Sequence, residues 1–290
     1  MKFSKLLLTT LCLLGALSAW AQHFKQIKGS LAQIAAGRNE VFGLDSKSQI
    51  WRFNGSEFVQ IPGLLKQVAV GGGTLLQKDE IWGVNASGAI HRFNYSTKAF
   101  TQIPGILAQI AVGEGDQDKC HPYEVWGTNK VNQIYRYNYC TSQFEQFSCC
   151  LARVATGGGD VWGINSSNQI YHYSFSGQTF EQVQGTLAQI AVGVNDVWGL
   201  NSSFQMYRYD PESGNFVSVA GQALLGGIAD GGDGVWGADA GFIFRFDPSS
   251  ESFTQVQYNS KEPAVQIAVG SGAGVWVIDS LDQVFTFVRP

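Results

Sequence analysis

A tryptophan, an asparagine three positions later and an arginine ten positions after the tryptophan recur along this 290-residue chain. An exposed indole face stacks on sugar C–H groups and on methyl ethers, and amide and guanidinium groups hydrogen-bond sugar hydroxyls. The pattern is therefore compatible with shallow carbohydrate sites in the four units that preserve it best, although one of them has histidine in place of arginine. The candidate ligand-binding residues are Trp82, Asn85, Arg92, Trp126, Asn129, Arg136, Trp162, Asn165, His172, Trp198, Asn201 and Arg208.

Each of these residue types also has a purely structural interpretation, and the sequence leaves both open. The tryptophan suits the space between two packed sheets. The Asn or Asp opens a turn, where its side chain caps its own backbone. The arginine suits an ion pair with an acidic residue two positions before the aromatic. The acids at that position are Glu40, Glu80, Glu124, Asp160 and Asp196.

The elements that must position these residues are copies of one repeat. The segment 180–210 recurs, with variation, at starts 34 to 44 residues apart, which is near the length of a propeller blade. The other copies begin at Phe24, Phe58, Phe100, Phe144, Phe216 and Phe253. Each copy holds four short pieces rich in aromatic and β-branched residues, bounded by turn residues, and none has a helical period. The sequence therefore predicts an all-β, seven-bladed β-propeller of four-stranded antiparallel blades.

The two ends of the chain predict how the ring closes. Residues 24–27 have the sequence of an outermost strand, and residues 285–287 have that of a third strand with no outermost strand after it. The N-terminal strand is therefore expected to complete the last blade, which removes a free sheet edge. We expect one propeller domain over residues 22–290.

The innermost strands are expected to converge near an axis, where little room is left for side chains. Each of these predicted strands ends in glycine. The glycines are Gly37, Gly71, Gly113, Gly157, Gly193, Gly231 and Gly270.

The first 21 residues have the pattern of a signal peptide. Lys2 and Lys5 give a positive start, residues 6–17 are apolar, and small residues precede Gln22, before which we expect cleavage. The alternative is a membrane anchor, but the apolar run is short for one, and no other run is long enough to span a bilayer. We therefore expect a protein secreted to the periplasm or to the extracellular space.

Four cysteines remain after the predicted leader, and they cluster around the third repeat. Cys120 and Cys140 lie in loops that emerge on the same face of the predicted blade, so we expect a disulfide between them, which an export route permits. Cys149 and Cys150 follow the fourth strand and either form a vicinal bridge or stay reduced. A zinc site that uses Cys120, His121 and Cys140 is a weak alternative, because their spacing matches no known ligand pattern.

The repeated pieces LAQIAVG, VWG(L/V/I)N and IYR(Y/F), with Trp82 ten positions before Arg92, resemble the tectonin repeat over nearly the whole chain. The resemblance implies a β-propeller lectin that binds lipopolysaccharide or other cell-surface glycans, including O-methylated sugars. Known members with six blades differ from the seven copies counted here. Within the copies, Phe42 replaces the tryptophan once, and His172 and Thr286 replace the arginine.

Other function classes find little support in the sequence. Glycoside cleavage needs two carboxylates at close range, but Asp230 is the one acid among the inner-strand polar positions, which are mostly glutamine. The four histidines are scattered and no cofactor or phosphate-binding motif occurs, so we expect neither an enzyme nor a cofactor. A net charge of −4 gives no reason to bind nucleic acid. A monomeric lectin is expected, and a protein-interaction scaffold is the alternative.

Overall fold

A computed structural model describes residues 23–219, 227–232, 234–239, 241–258 and 260–288. The predicted leader, residues 1–21, lies outside the described residues. The described residues form strands arranged in seven four-stranded antiparallel sheets, and each sheet extends from an inner strand to an outer strand. The predicted seven-bladed propeller is confirmed.

The first four blades follow one another along the chain. Blade 1 contains β2 (Gln33–Ala36), β3 (Val41–Leu44), β4 (Gln49–Phe53) and β5 (Phe58–Leu64). Blade 2 contains β6 (Gln67–Gly71), β7 (Glu80–Val84), β8 (Ala89–Asn94) and β9 (Ala99–Ile106). Blade 3 contains β10 (Gln109–Asp118), β11 (His121–Thr128), β12 (Gln133–Asn138) and β13 (Gln143–Cys150). Blade 4 contains β14 (Arg153–Gly157), β15 (Asp160–Ile164), β16 (Gln169–Ser174) and β17 (Thr179–Thr186).

The last three blades complete the ring. Blade 5 contains β18 (Gln189–Val192), β19 (Val197–Leu200), β20 (Met206–Asp210) and β21 (Asn215–Ser218). Blade 6 contains β22 (Gly227–Gly231), β23 (Gly234–Asp239), β24 (Phe242–Asp247) and β25 (Ser252–Val256). Blade 7 contains β26 (Ala264–Val269), β27 (Val275–Asp279), β28 (Gln283–Val288) and the N-terminal β1 (His23–Ser30).

The N-terminal strand closes the ring as expected. It pairs antiparallel with the last strand of the chain, with Phe24 opposite Phe287 and Ile27 opposite Val284. Phe24 is buried and contacts Trp236 of blade 6 edge-on, with ring centroids 6.0 Å apart. The first strand therefore seals both the sheet of blade 7 and the interface with blade 6.

The inner strands approach one another as closely as their glycines allow. A Cβ atom at Gly71 would lie 2.2 Å from the carbonyl oxygen of Val112 in the next blade, and one at Gly157 would lie 2.1 Å from that of Val192. The predicted need for small residues near the axis is confirmed.

Inner-strand glutamines join successive blades. The side-chain oxygen of Gln67 accepts a hydrogen bond from Ile110 N at 2.9 Å, and its amide group donates to Ile110 O at 3.0 Å. Gln109 bonds Val154 in the same two ways, and so does Gln266 with Ile34. Each glutamine bonds backbone groups on the inner strand of the next blade, and no other strand of that next blade pairs with those groups. The glutamines are therefore part of the scaffold.

The hydrophobic core is divided among the interfaces between blades. The second-strand aromatic of one blade contacts the aromatic that follows the arginine position in the next blade. The two rings meet edge-on, which is an arrangement that aromatic pairs prefer. Trp82 and Tyr137 have ring centroids 4.7 Å apart, and Trp126 and Tyr173 are 4.8 Å apart. The tryptophans at this position are fully buried in blades 2 to 6.

Candidate functional site

The predicted ligand-binding residues of one blade separate toward opposite faces of the ring. In blade 2, Trp82 pairs with Arg92 across the sheet and Val84 pairs with Ile90. Asn85 follows β7 at the turn to β8, whereas Arg92 reaches back toward the start of β7. We call the face with the turns between second and third strands the Asn face, and the face with the loops between first and second strands the Arg face.

The tryptophans stand between the two faces and offer no surface to a ligand. Trp82, Trp126, Trp162 and Trp198 each have 0% of their surface exposed. An indole without exposed area cannot stack on a sugar. In this structure the four indoles therefore serve the core, and the Asn, Arg and His positions remain as candidates for ligand contact.

On the Asn face, the asparagines cap the turns that they open. The side-chain oxygen of Asn85 accepts hydrogen bonds from Ser87 N at 3.1 Å and Ala89 N at 2.9 Å. Asn129, Asn165 and Asn201 accept two backbone bonds in the same way. The structural interpretation of the side-chain oxygen is thus confirmed, while the amide nitrogens of Asn129, Asn165 and Asn201 each donate to a glutamine.

On the Arg face, the arginines pair with the predicted acids. Arg92 donates from Nε to Glu80 Oε2 at 2.8 Å and from Nη2 to Glu80 Oε1 at 2.6 Å. The same carboxylate accepts from the Trp82 indole at 2.8 Å. The guanidinium carbon lies 5.5 Å from the centroid of that indole, within range of a cation–π contact. Equivalent ion pairs join Arg52 to Glu40, Arg136 to Glu124 and Arg208 to Asp196.

These ion pairs stabilise the charged form of the arginine. In blade 1 the side-chain hydrogen bond with Glu40 raises the pKa of the Arg52 guanidinium above its usual value. Blade 4 keeps the arrangement with different chemistry. There His172 Nε2 lies 2.7 Å from Asp160 Oδ1, and the imidazole takes the place of the guanidinium.

Sequence reasoning missed the half-exposed aromatics on the third strands. These side chains stand between the isoleucine and the arginine of each IYR piece and face the preceding blade. Trp51 donates its indole N–H to Asp45 at 3.1 Å, and Asn129 Nδ2 lies 3.5 Å from the Tyr135 hydroxyl. The alternation of a strand was the available signal, because neighbours of a buried isoleucine must point to the other side of the sheet.

Tyr135 belongs to a polar network on the Asn face. Its hydroxyl donates to Gln133 Oε1 at 3.2 Å, and Asn129 Nδ2 donates to the same oxygen at 2.7 Å. Because the turn fixes the Asn129 oxygen, the network holds the phenol in one position. Asn165 and Asn201 make the corresponding amide bond to Gln169 and Gln205.

This network forms one wall of a cleft between blades 2 and 3. The cleft has a volume of about 400 Å³, within the range of small-molecule sites. Blade 3 contributes Asn129, Tyr135, Gln143 and Phe144, and the opposite side is lined by Ile90, Pro104, Gly105, Ile106 and Leu107. The cleft thus combines hydroxyl and amide groups with an apolar edge.

Two further grooves open between blades near the ion pairs. One, of about 710 Å³, lies between blades 4 and 5 and includes Asp160, Asp196 and Arg208. The other, of about 600 Å³, lies between blades 7 and 1 and includes Glu40 and Arg52. Because equivalent residues line both, each groove is a product of the repeat.

The cysteines divide as the sequence predicts. Cys120 and Cys140 form a disulfide, with Cα atoms 4.9 Å apart, and it ties the β10–β11 hairpin to the turn after β12. Both sulfurs are therefore engaged and cannot ligate zinc. Cys149 and Cys150 are free thiols, the first half-buried and the second exposed. Burial raises the pKa of the Cys149 thiol.

Two further site types, a metal centre and a membrane-spanning helix, are judged from the described residues. Within the described residues, no group of three or more His, Cys, Asp or Glu side chains is arranged to hold a metal ion. Nor does any helix of that part of the chain have the length and apolar character needed to cross a membrane.

Solved structures with the same fold are distant in sequence. Yeast RCC1 (Prp20), solved with Kap60 bound, has a TM-score of 0.67 at 10% identity, covering 90% of this chain and 80% of that chain. YCF48 bound to D1 peptide has a TM-score of 0.64 at 12% identity, covering 93% and 95%. U3-55K has a TM-score of 0.69 at 8% identity, covering 92% and 98%. At such identities the likeness concerns the fold alone.

Sequence comparison is more specific. No curated protein matches the chain in sequence. The Tectonin domain pattern, however, matches residues 30–215 and 150–289, which together span nearly all of the described ring. The chain therefore belongs to the Tectonin domain family.

Proposed function

We propose that this chain is a lectin that binds cell-surface glycans or the sugars of lipopolysaccharide in clefts between successive blades. The observation that carries the proposal is the cleft of about 400 Å³ between blades 2 and 3. It sets the polar network of Asn129 and Tyr135 opposite the apolar edge of Pro104 and Ile106. Family membership supports the proposal, because the tectonin repeat is typical of lectin propellers.

The chemistry of the cleft suits a sugar. Hydroxyl groups of a sugar need donors and acceptors in fixed positions, which the Tyr135 hydroxyl and the Gln143 side chain provide at the cleft wall. Ring C–H groups and methyl ethers need apolar contact, which Ile106 offers with 67% of its surface exposed. An O-methylated sugar satisfies both walls at once.

The repeat supplies related sites around the ring. Blades 4 and 5 place a tyrosine, Tyr171 or Tyr207, at the third-strand position next to the capping asparagine, Asn165 or Asn201. Blade 1 has the pair Asp45 and Trp51 instead. Several weak sites on one rigid ring bind a surface that displays many copies of a glycan far more tightly than one site does.

The ion-paired residues on the Arg face form a second set of proposed contacts. Arg92, Arg136, His172 and Arg208 each bind a carboxylate, and a guanidinium has five N–H donors. The side chains of Arg92, His172 and Arg208 are 34%, 34% and 41% exposed, so their remaining donors can reach sugar hydroxyls, whereas that of Arg136 is 8% exposed. This set is secondary, because the ion pair already explains why the residues are there.

We also propose that the chain is exported and that cleavage precedes Gln22. The disulfide between Cys120 and Cys140 supports this, because such bonds persist in oxidising compartments. N-terminal sequencing of the protein from the culture medium or periplasm tests it. Recovery of a chain that still begins at Met1 would contradict the proposal.

The test of the lectin proposal is a glycan array that includes methylated and unmethylated sugars and lipopolysaccharide, followed by calorimetric titration of the strongest ligand. The double variant N129D/Y135F keeps the turn cap and the ring but removes the two donors. We expect the number of bound sugars per chain to fall, because the cleft between blades 2 and 3 no longer binds a sugar while the related sites of the other blades still do.

The matched control is Tyr123→Phe, which removes a phenol hydroxyl from the Arg face of the same blade and should leave the number of bound sugars unchanged. An array without any glycan signal, together with tight capture of one protein partner, would replace the lectin by a protein-interaction scaffold. The peptide-bound YCF48 structure is an example of that use in a distant propeller.

A further inference from the structure

One loop on the Arg face presents two adjacent leucines to solvent. Residues 72–79 join β6 to β7, and Leu75 and Leu76 at the loop tip are 85% and 98% exposed. They are the two most exposed large hydrophobic side chains among the described residues. The corresponding loop of blade 1 has four residues, 37–40, so this loop is twice as long.

Hydrogen bonds fix the tip of this loop, which we call the Leu loop (residues 72–79). The Thr74 hydroxyl accepts from Leu76 N at 3.2 Å and from Gln77 N at 3.1 Å, and Thr74 N donates to Gln77 O at 3.1 Å. The Tyr123 hydroxyl holds the far side through Lys78 O at 3.1 Å. The two leucines are therefore held outward by a defined turn.

The base of the Leu loop is also fixed. Asp79 is 1% exposed, and its carboxylate accepts from Gly73 N at 3.1 Å within the loop. The same carboxylate accepts from three successive backbone N–H groups of blade 1, those of Arg38, Asn39 and Glu40, at 2.7 to 2.9 Å. The base of the loop is therefore anchored to both blade 1 and blade 2.

Positive charge lies beside the leucines. Arg38 and Lys78 line the same surface groove as Leu75 and Leu76. Within the part of the chain that the structure describes, neither cation forms an ion pair. Because the chain as a whole is acidic, with a net charge of −4, this apolar tip with cations at its side is a local exception.

We propose that the Leu loop docks the propeller on an anionic lipid surface. Leu75 and Leu76 enter the boundary between headgroups and acyl chains, and Arg38 and Lys78 contact headgroup phosphates. Leu75 and Leu76, which are 85% and 98% exposed, project into solvent and fit a deformable apolar medium, whereas a peptide or small ligand needs a site that encloses it. The clefts of the Asn face stay free, because the Leu loop lies on the opposite face.

The experiment is flotation of the protein beginning at Gln22, which retains every described strand, with vesicles of phosphatidylglycerol and phosphatidylcholine in equal parts. We expect binding to these vesicles, weaker binding to pure phosphatidylcholine, and weakening by salt. L75S/L76S should lower the partition coefficient at least tenfold. R38Q/K78Q should lower it by about fivefold for each charge on anionic vesicles alone.

The matched control is L64S/L281S, which removes two leucines that are 61% and 60% exposed on the Asn face. This control should bind vesicles like the wild type, and thermal unfolding should show all variants folded. Absence of wild-type flotation, or equal loss in L64S/L281S and L75S/L76S, overturns the proposal. Glycan titration of L75S/L76S separates the two proposals, since sugar binding is expected to be unchanged.

Discussion

The imidazole of His172 stacks on the indole of Trp162, with ring centroids 4.2 Å apart and planes 13° from parallel. The same imidazole reaches Asp160 at 2.7 Å. In blades 1, 2, 3 and 5 an arginine occupies this position, over the second-strand aromatic and against an acid. Blade 4 therefore conserves the geometry of the contact while giving up the permanent charge and the five donors of a guanidinium.

Restoring the arginine in blade 4 should strengthen its interface. His172→Arg is expected to raise the free energy of unfolding at neutral pH by about 0.5 kcal/mol, a small gain because both partners are about one-third exposed. The neighbouring pair of Arg208 with Asp196 shows that an aspartate is long enough for this partner. Urea denaturation measures the change, and the reciprocal Arg92→His should lower stability. Equal midpoints for all three proteins would contradict the prediction.

Blade 5 leaves one buried donor without a partner. The Trp198 indole N–H has no hydrogen bond, whereas those of Trp82 and Trp162 donate to the acid two positions earlier. In blade 5 that acid is Asp196, and its Oδ1 accepts hydrogen bonds from both Nε and Nη2 of Arg208. Asp196→Glu adds the carbon that the glutamates of blades 1 to 3 have. It should raise the free energy of unfolding by about 1 kcal/mol in urea denaturation.

The control for that variant is Asp210→Glu, a partly exposed acid on the same blade that contacts no indole. Its carboxylate accepts a hydrogen bond from Glu212 N at 3.1 Å, so added length brings no new partner and the unfolding midpoint should not rise above that of the wild type. A gain of the same size in both variants would mean that added side-chain length, not the indole hydrogen bond, is responsible.

The architecture was predictable because the same four-strand pattern occurs seven times in the sequence. Strand order, the N-terminal closure and the glycines beside the axis all follow from pattern and spacing, and each is local or imposed by the ring. The pairing of Cys120 with Cys140 also followed from topology, since it needs only which loops share a face.

The site was less predictable, because sequence spacing does not tell which side of a sheet a residue faces once blades pack on both sides. Trp82, Asn85 and Arg92 are neighbours in sequence pattern, but one is buried and the other two lie toward opposite faces. The Tyr135 side chain was overlooked because its exposure depends on the outward divergence of blades 2 and 3, which only the assembled ring creates.

The disulfide should stabilise the β10–β11 hairpin. It closes a loop with a sequence separation of 20, for which chain entropy gives about 3 kcal/mol. C120S/C140S should lower the free energy of unfolding by up to that amount. In the protein beginning at Gln22, alkylation without reduction followed by mass analysis should label Cys149 and Cys150 alone. Labelling of Cys120 in the unreduced protein would refute the pairing.

Phe204 occupies a backbone conformation that aromatic residues avoid. Its φ is 59°, and it is the fourth residue of a turn where other blades have Ser48, Asn132, Asn168 and Asp282 at similar angles. The ring is 50% exposed, so little packing offsets the strain. Phe204→Asn should raise the free energy of unfolding by about 1 kcal/mol. Asn168→Phe, at the same place in blade 4, should lower it, and thermal unfolding that shows no opposite shifts would contradict the argument.

Tyr139 carries a buried hydroxyl without a hydrogen-bond partner, although its ring lies 5.2 Å from the Arg92 guanidinium. Burial raises the pKa of this phenol well above its usual value near 10. Because the folded pKa exceeds the unfolded one, the folded state loses stability as the pH rises above about 10. Tyr139→Phe keeps the ring, removes the unpaired group and should raise the free energy of unfolding by about 1 kcal/mol at neutral pH.

The gain of Tyr139→Phe over the wild type should grow above about pH 10, where only the tyrosine must stay protonated to remain buried. Tyr123→Phe is the matched control on the adjacent ring, 5.8 Å away. Its hydroxyl donates to Lys78 O, so the control should lose stability at neutral pH. If both variants shift the urea midpoint in the same direction at neutral pH, hydrogen-bond status does not decide the effect, since that status is what distinguishes the two phenols.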